Sequence, residues 1–190
     1  MQLVLPRPAR VAAFVFGVTL AALLFVPSLV SYRAHRLLKA SEDHISWGRL
    51  DEARDSLLRA TELTPLDAEL REALGDIEQA RSRWRSDPAT RDRALAAYAT
   101  ATALNARDAS LFASYAEALV GAERYAAAHE ALSAALSRDP NNAAYHVLRG
   151  RLAKAEGRPD AALTAYRRAQ AIKPNAQLET LIETLAAGGN

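Results

Sequence analysis

The sequence predicts an all-α chain: an N-terminal transmembrane helix, then an α-solenoid of about four helical hairpins, closed by a C-terminal capping helix. Two observations carry this. Segments 48–67, 123–142 and 157–176 repeat one pattern, as Ala53/Leu57/Ala60/Pro65, Ala128/Leu132/Ala135/Pro140 and Ala162/Tyr166/Ala169/Pro174. Ala128 and Ala162 stand 34 residues apart. Self-similarity at such a period marks stacked hairpins, each too small to bury its apolar face alone. The second observation is VAAFVFGVTLAALLFVPSLV over 11–30, which has no charge between Arg10 and Arg33.

Residues 1–10 form a short tail with Arg7 and Arg10. The apolar stretch that follows would rise about 30 Å as a helix, the thickness of a hydrocarbon core. A secretory signal peptide is the competing reading. Its apolar region is normally shorter and ends in small residues, whereas this one runs into Ser31, Tyr32 and Arg33. An uncleaved single-pass anchor is the expectation. Arginines and Lys39 flank both ends, so the positive-inside rule gives no clean orientation. A bacterial signal-anchor of this plan leaves the head inside and sends the rest to the periplasm, from an inner (cytoplasmic) membrane. Ser31-Tyr32-Arg33 can continue a helix, so the first hairpin should follow the apolar helix without a linker.

The repeats fall in four units: 34–67, 68–108, 109–142 and 143–176, with 177–186 as capping helix and 187–190 as tail. The pattern resembles the tetratricopeptide repeat family, whose unit is two antiparallel helices with small residues at close helix contacts and large ones filling the gaps. Unit one matches through Leu37, Ser41, His44, Ala53, Leu57, Ala60 and Pro65. Unit two offers Leu74, Gly75, Ala94, Tyr98 and Ala101. Unit three offers Phe112, Tyr115, Ala116, Leu119, Ala128, Leu132, Ala135 and Pro140. Unit four offers His146, Gly150, Ala153, Ala162, Tyr166, Ala169 and Pro174. Proline after the second helix ends it by denying a backbone donor.

Unit two departs from the pattern. It is 41 residues long, and Ala106 replaces the proline. Leu70, Leu74, Ile77 and Trp84 keep a helical spacing past the usual helix end. Asp87-Pro88 reads as an N-cap followed by proline at the first helical position. The insertion therefore lengthens both helices of the hairpin. Its tip carries Arg81, Arg83, Trp84, Arg85, Arg91 and Arg93. Trp84 is either a contact point or a ring packed across the hairpin.

The resemblance implies a concave groove lined by the first helix of each unit. Carried over, it holds Glu42 in unit one, Glu69, Glu72 and Asp76 in unit two, Ala113 and Glu117 in unit three, and Val147, Arg151 and Lys154 in unit four. Such a floor suits a partner segment with Lys or Arg and an apolar helical face. Some family members clamp chaperone C-terminal carboxylates with basic and amide side chains. Leu38, Glu42 and Ser114 stand where those would be needed, so that role is not expected.

Composition narrows the rest. There is no Cys, which removes disulfides and thiolate sites and suits an oxidising compartment. The net charge of +2 equals Arg7 plus Arg10, since the remaining 22 bases match 22 acids; nucleic acid is not an expected partner. Charge is uneven: residues 41–80 hold 11 acids and 4 bases. His35, His44, His129 and His146 form no tight ligand pair, and no phosphate loop or nucleophile motif occurs. The expectation is no enzyme, no cofactor, no metal and no small-molecule substrate. The resemblance implies a membrane-anchored scaffold that binds proteins or peptides, membrane-embedded or membrane-proximal, during assembly or export in the cell envelope. The alternative is a fixed structural subunit of a larger membrane complex.

Overall fold

The computed structural model describes residues 7–85 and 87–187. Among these residues are nine helices: α1 (Arg7–Ser46), α2 (Leu50–Leu63), α3 (Ala68–Arg85), α4 (Pro88–Leu104), α5 (Ala109–Gly121), α6 (Tyr125–Arg138), α7 (Ala143–Ala155), α8 (Pro159–Ile172) and α9 (Ala176–Ala187). The chain divides into two units, Met1–Pro65 and Leu66–Asn190. The basic tail falls partly outside the described residues, at 1–6, and the last three residues fall outside them too.

In the first unit the structure corrects the transmembrane reading. Residues 11–30 are not a separate apolar element. They are part of α1, a single helix of 40 residues. That helix starts at Arg7 and runs on through Arg33, Arg36, Lys39, Glu42 and Asp43. Among the described residues, no helix is long and apolar enough to cross a membrane. The sequence reading took the apolar run alone and gave no weight to the charged half that folds with it. Ser31-Tyr32-Arg33 do continue the helix without a break, and Pro27 lies inside it. The second half of α1 pairs with α2, burying Ala34, Leu38 and Ser41 on one helix and Ala53, Leu57 and Ala60 on the other. Phe25, Val26, Leu29 and Tyr32 lie exposed on α1 ahead of that pairing.

In the second unit, α3/α4, α5/α6 and α7/α8 are hairpins, and α9 packs on α8. Helices α3, α5 and α7 neighbour one another in sequence order. Local chemistry sets the ends. Asp87, Asp108 and Asn142 cap α4, α5 and α7, each accepting from a backbone N–H two residues on, and caps of this kind contribute about 1 kcal/mol each. Asp67 does the same for α3, taking the N–H of Glu69 at 3.0 Å.

The hairpin turns follow one rule. Glu123 and Gly157 adopt left-handed φ of 59° and 72°, as Gly48 does at 71° in the first unit. The next residue is an arginine each time, and its N–H returns to a helix carbonyl: Arg49 to His44, Arg124 to Leu119, Arg158 to Ala153. This is the closure that ends a helix with its last carbonyls satisfied. The α3/α4 hairpin is longer. Helix α3 has 18 residues and α4 has 17, against 13 and 14 for α5 and α6. The extension is tied internally: Glu78, 2% exposed, accepts from Arg81 Nη1 at 2.7 Å and lies 3.5 Å from Arg93 Nε. A buried carboxylate with two guanidinium partners fixes the pairing of the two helices, since breaking it would strand a charge.

Each hairpin also matches a small residue to a large one. Gly75 lies under the Tyr98 ring and Gly150 under the Tyr166 ring; a methyl group at either would fall 2.9 Å and 2.4 Å from ring carbon. Where the second helix offers leucine instead, the first carries more bulk: Ala116 with Leu132, and Ser41 with Leu57, all buried.

Candidate partner-binding trough

One stripe of α3 holds the candidate site. Glu69, Glu72, Asp76, Gln79 and Arg83 follow one another at steps of three, four, three and four, which keeps them on one helical face. Helix α5 supplies Ser114 and Glu117 beside this stripe, and α4 supplies Tyr98 beneath it. The Ser114 hydroxyl donates to Glu72 Oε1 at 3.0 Å. The Tyr98 hydroxyl donates to Asp76 Oδ1 at 2.5 Å, with Gln79 Oε1 3.3 Å away.

Glu72 and Asp76 have no cation among the charges that shift them. Partial burial pushes the Glu72 carboxyl above its ordinary value; the Ser114 bond opposes this, and the charges of Asp76, Asp108 and Glu69 add to it. Burial likewise raises Asp76, against the Tyr98 bond and with the charge of Glu117. Every charge acting appreciably on these two groups is another carboxylate. The same surroundings push the Tyr98 hydroxyl upward, so it remains a proton donor.

Further along, the face changes sign. Arg151 of α7 donates to Glu117 at 2.9 Å. Arg83 of α3 and Arg91 of α4 are exposed, and with Arg151 they border a cleft of about 280 Å³ between α3, α4, α5 and α7.

The remaining predicted residues scatter. Glu42 is exposed on α1, in the first unit. Ala113 packs half-buried against the central core. Val147 packs toward Leu178 and Leu181 of α9, at a second cleft of about 370 Å³. Lys154 is exposed. At the hairpin tip, Arg81 turns inward to Glu78, while Trp84 is 85% exposed, which rules out a ring packed across the hairpin. Arg85 ends α3. Sequence reasoning placed Arg91 at the tip and not in the trough. The available signal was symmetry: Arg83 and Arg91 lie equally far on either side of Asp87, so an antiparallel hairpin brings them level.

Comparison with known proteins agrees with this architecture. A tetratricopeptide repeat family model matches residues 116–177. No match was found among the curated proteins. Among solved structures, PilF of Pseudomonas aeruginosa is similar at 18% identity and a TM-score of 0.71, over 84% of this chain and 70% of that one. MamA (from residue 41 to its end) of Desulfovibrio magneticus RS-1 is similar at 15% identity and a TM-score of 0.69, over 83% and 85%. The APC/C hetero-tetramer Cut9–Hcn1 contains a chain similar at 21% identity and a TM-score of 0.67, over 80% of this chain and 30% of that one. At these identities the likeness is one of fold. Residues 116–177 are thus tetratricopeptide repeat sequence, and the chain has the all-helical fold of the tetratricopeptide repeat proteins.

Proposed function

We propose that this chain is a non-catalytic scaffold whose trough on α3 and α5 holds a cationic, apolar-faced segment of a partner protein. The observation that carries the reading is the carboxylate pair Glu72 and Asp76, raised by burial and acted on only by further negative charge. Keeping such a pair uncompensated costs stability in the free protein. An incoming Lys or Arg would relieve it. Charge of this kind selects a partner and guides its approach more than it adds raw affinity.

A blocked, amphipathic peptide of about 14 residues with an Ala/Leu face and lysines tests this, being long enough for a helix-in-groove contact. Its binding to the full chain, followed by fluorescence anisotropy, should weaken roughly tenfold in the Glu72→Gln/Asp76→Asn double variant. That variant keeps both acceptors for Ser114 and Tyr98. Equal binding by both proteins would overturn the reading.

The place of action belongs to the same proposal: assembly or export work in the cell envelope, on the periplasmic side. The support is the absence of cysteine, which suits an oxidising compartment. Alkaline phosphatase fused after Asn190 should be active; an inactive fusion beside a bright GFP fusion would reverse the placement.

A further inference from the structure

The cleft bordered by Arg83, Arg91 and Arg151 is not explained by a partner that is cationic alone. Arg151 is partly satisfied by Glu117 at 2.9 Å. Arg83 and Arg91 come from the two sides of the extended hairpin and bring two more positive charges to the same small space, against the one carboxylate. Leu95, Ala118 and Val120 supply an apolar wall, and Ser82 and Gln79 add groups able to hydrogen-bond. Arginines that border one small cleft suit a carboxylate, which a guanidinium group can grip by paired N–H bonds. Arg83 and Arg91 belong to the insertion of the second repeat, so the site arises from what is particular to this chain.

We propose that this cleft is an anion-accepting subsite of the trough, and that the partner segment places an acidic side chain in it while its cationic side chain lies on Glu72 and Asp76. The proposal rests on the scaffold reading above and gives the partner a polarity. Asp76 and Arg83 are seven residues apart on α3, so the two subsites lie about 10 Å from each other. A helical partner would therefore space its cation and its carboxylate about seven residues apart, and an extended one about three. The partner is a protein segment with divided charge, and the extended hairpin sets its direction in the trough.

Three blocked peptides on one amphipathic frame test this against the full chain by fluorescence anisotropy. The first carries lysines at one end and Gln at the other. The second replaces that Gln with Glu, seven residues from a lysine. The third has the composition of the second with Glu and Lys adjacent. The second should bind roughly two- to fivefold tighter than the first and the third, the range that solvent-exposed ion pairs can supply. Arg83→Ala/Arg91→Ala should erase that gain, so that the first and second peptides bind the double variant alike. Both side chains are exposed, and a circular-dichroism melt confirms the fold of the variant. A Glu that adds nothing, or a gain that survives in the double variant, overturns the anion subsite while the cationic trough stands. Binding of the first peptide that ignores Glu72→Gln/Asp76→Asn overturns the trough and not the subsite. Absence of binding by all three overturns both.

Discussion

Gly150→Ala should destabilise the repeats, and Tyr166→Leu added to it should restore most of the loss. The new methyl group would sit 2.4 Å from the Tyr166 ring, and overpacking of this kind costs about 1–3 kcal/mol. The better helix propensity of alanine returns up to about 1 kcal/mol, too little to offset a clash with a ring that is itself 1% exposed. At Gly75 the nearest Tyr98 carbon is 2.9 Å away, so Gly75→Ala should destabilise as well, by less than Gly150→Ala. Tyr166→Leu alone should also cost about 1–3 kcal/mol, through the space it leaves over a glycine. The double variant recreates the buried Ala116 with Leu132 arrangement of the neighbouring repeat. A urea-unfolding cycle should therefore give a favourable coupling of about 1–3 kcal/mol between the two sites. Additive losses would mean that the ring and the glycine are not matched.

That pairing explains why so much of the fold was legible in the sequence. A hairpin repeat must put small residues where helices touch and large ones where they part, so its period is written directly into the chain. Pro140, Pro174 and the Gly-Arg turns at 48–49 and 157–158 mark the same joints chemically. The failures occurred where this logic breaks. The run over 11–30 looked self-sufficient because periodicity was read from Ala34 onward, yet α1 is one helix from Arg7 to Ser46. The insertion in the second repeat shifted the register, which hid the burial of Glu78 and the inward turn of Arg81. Glu69, Glu72, Asp76 and Glu117 could be placed, because they sit on helix faces whose phase is fixed by Leu70, Leu74 and Leu119. The partial burial of Glu72 and Asp76 could not be seen, since it depends on neighbouring helices packing over them, and nor could the opposing hydrogen bonds from Ser114 and Tyr98.

Burial of these carboxylates, with the neighbouring negative charge, predicts how stability depends on pH. Glu72 and Asp76 titrate above their ordinary values of 4.5 and 3.8 in the folded chain. Between those values and the raised ones, the folded state binds more protons than the unfolded state. Stability therefore falls as pH rises through this window and stays lower above it. Asp87, Asp108 and Glu156 run the other way: hydrogen bonds lower them, led by Thr90, Ser110 and His129 respectively, so their contribution is lost only as pH falls below the ordinary carboxylate range. Comparing wild type with Glu72→Gln/Asp76→Asn separates the two effects, because the three capping or paired carboxylates are common to both proteins. The amide variant should melt higher than wild type near pH 7, and the gap should close on acidification as the native carboxyls take up protons and come to resemble their amides. The variant that is more stable is also the one expected to lose the cationic peptide, so the trough would be a surface held ready for its partner at the expense of the free fold. A wild type that melts higher at neutral pH, or a gap that does not change with pH, would show instead that the two carboxylates are stabilised where they stand.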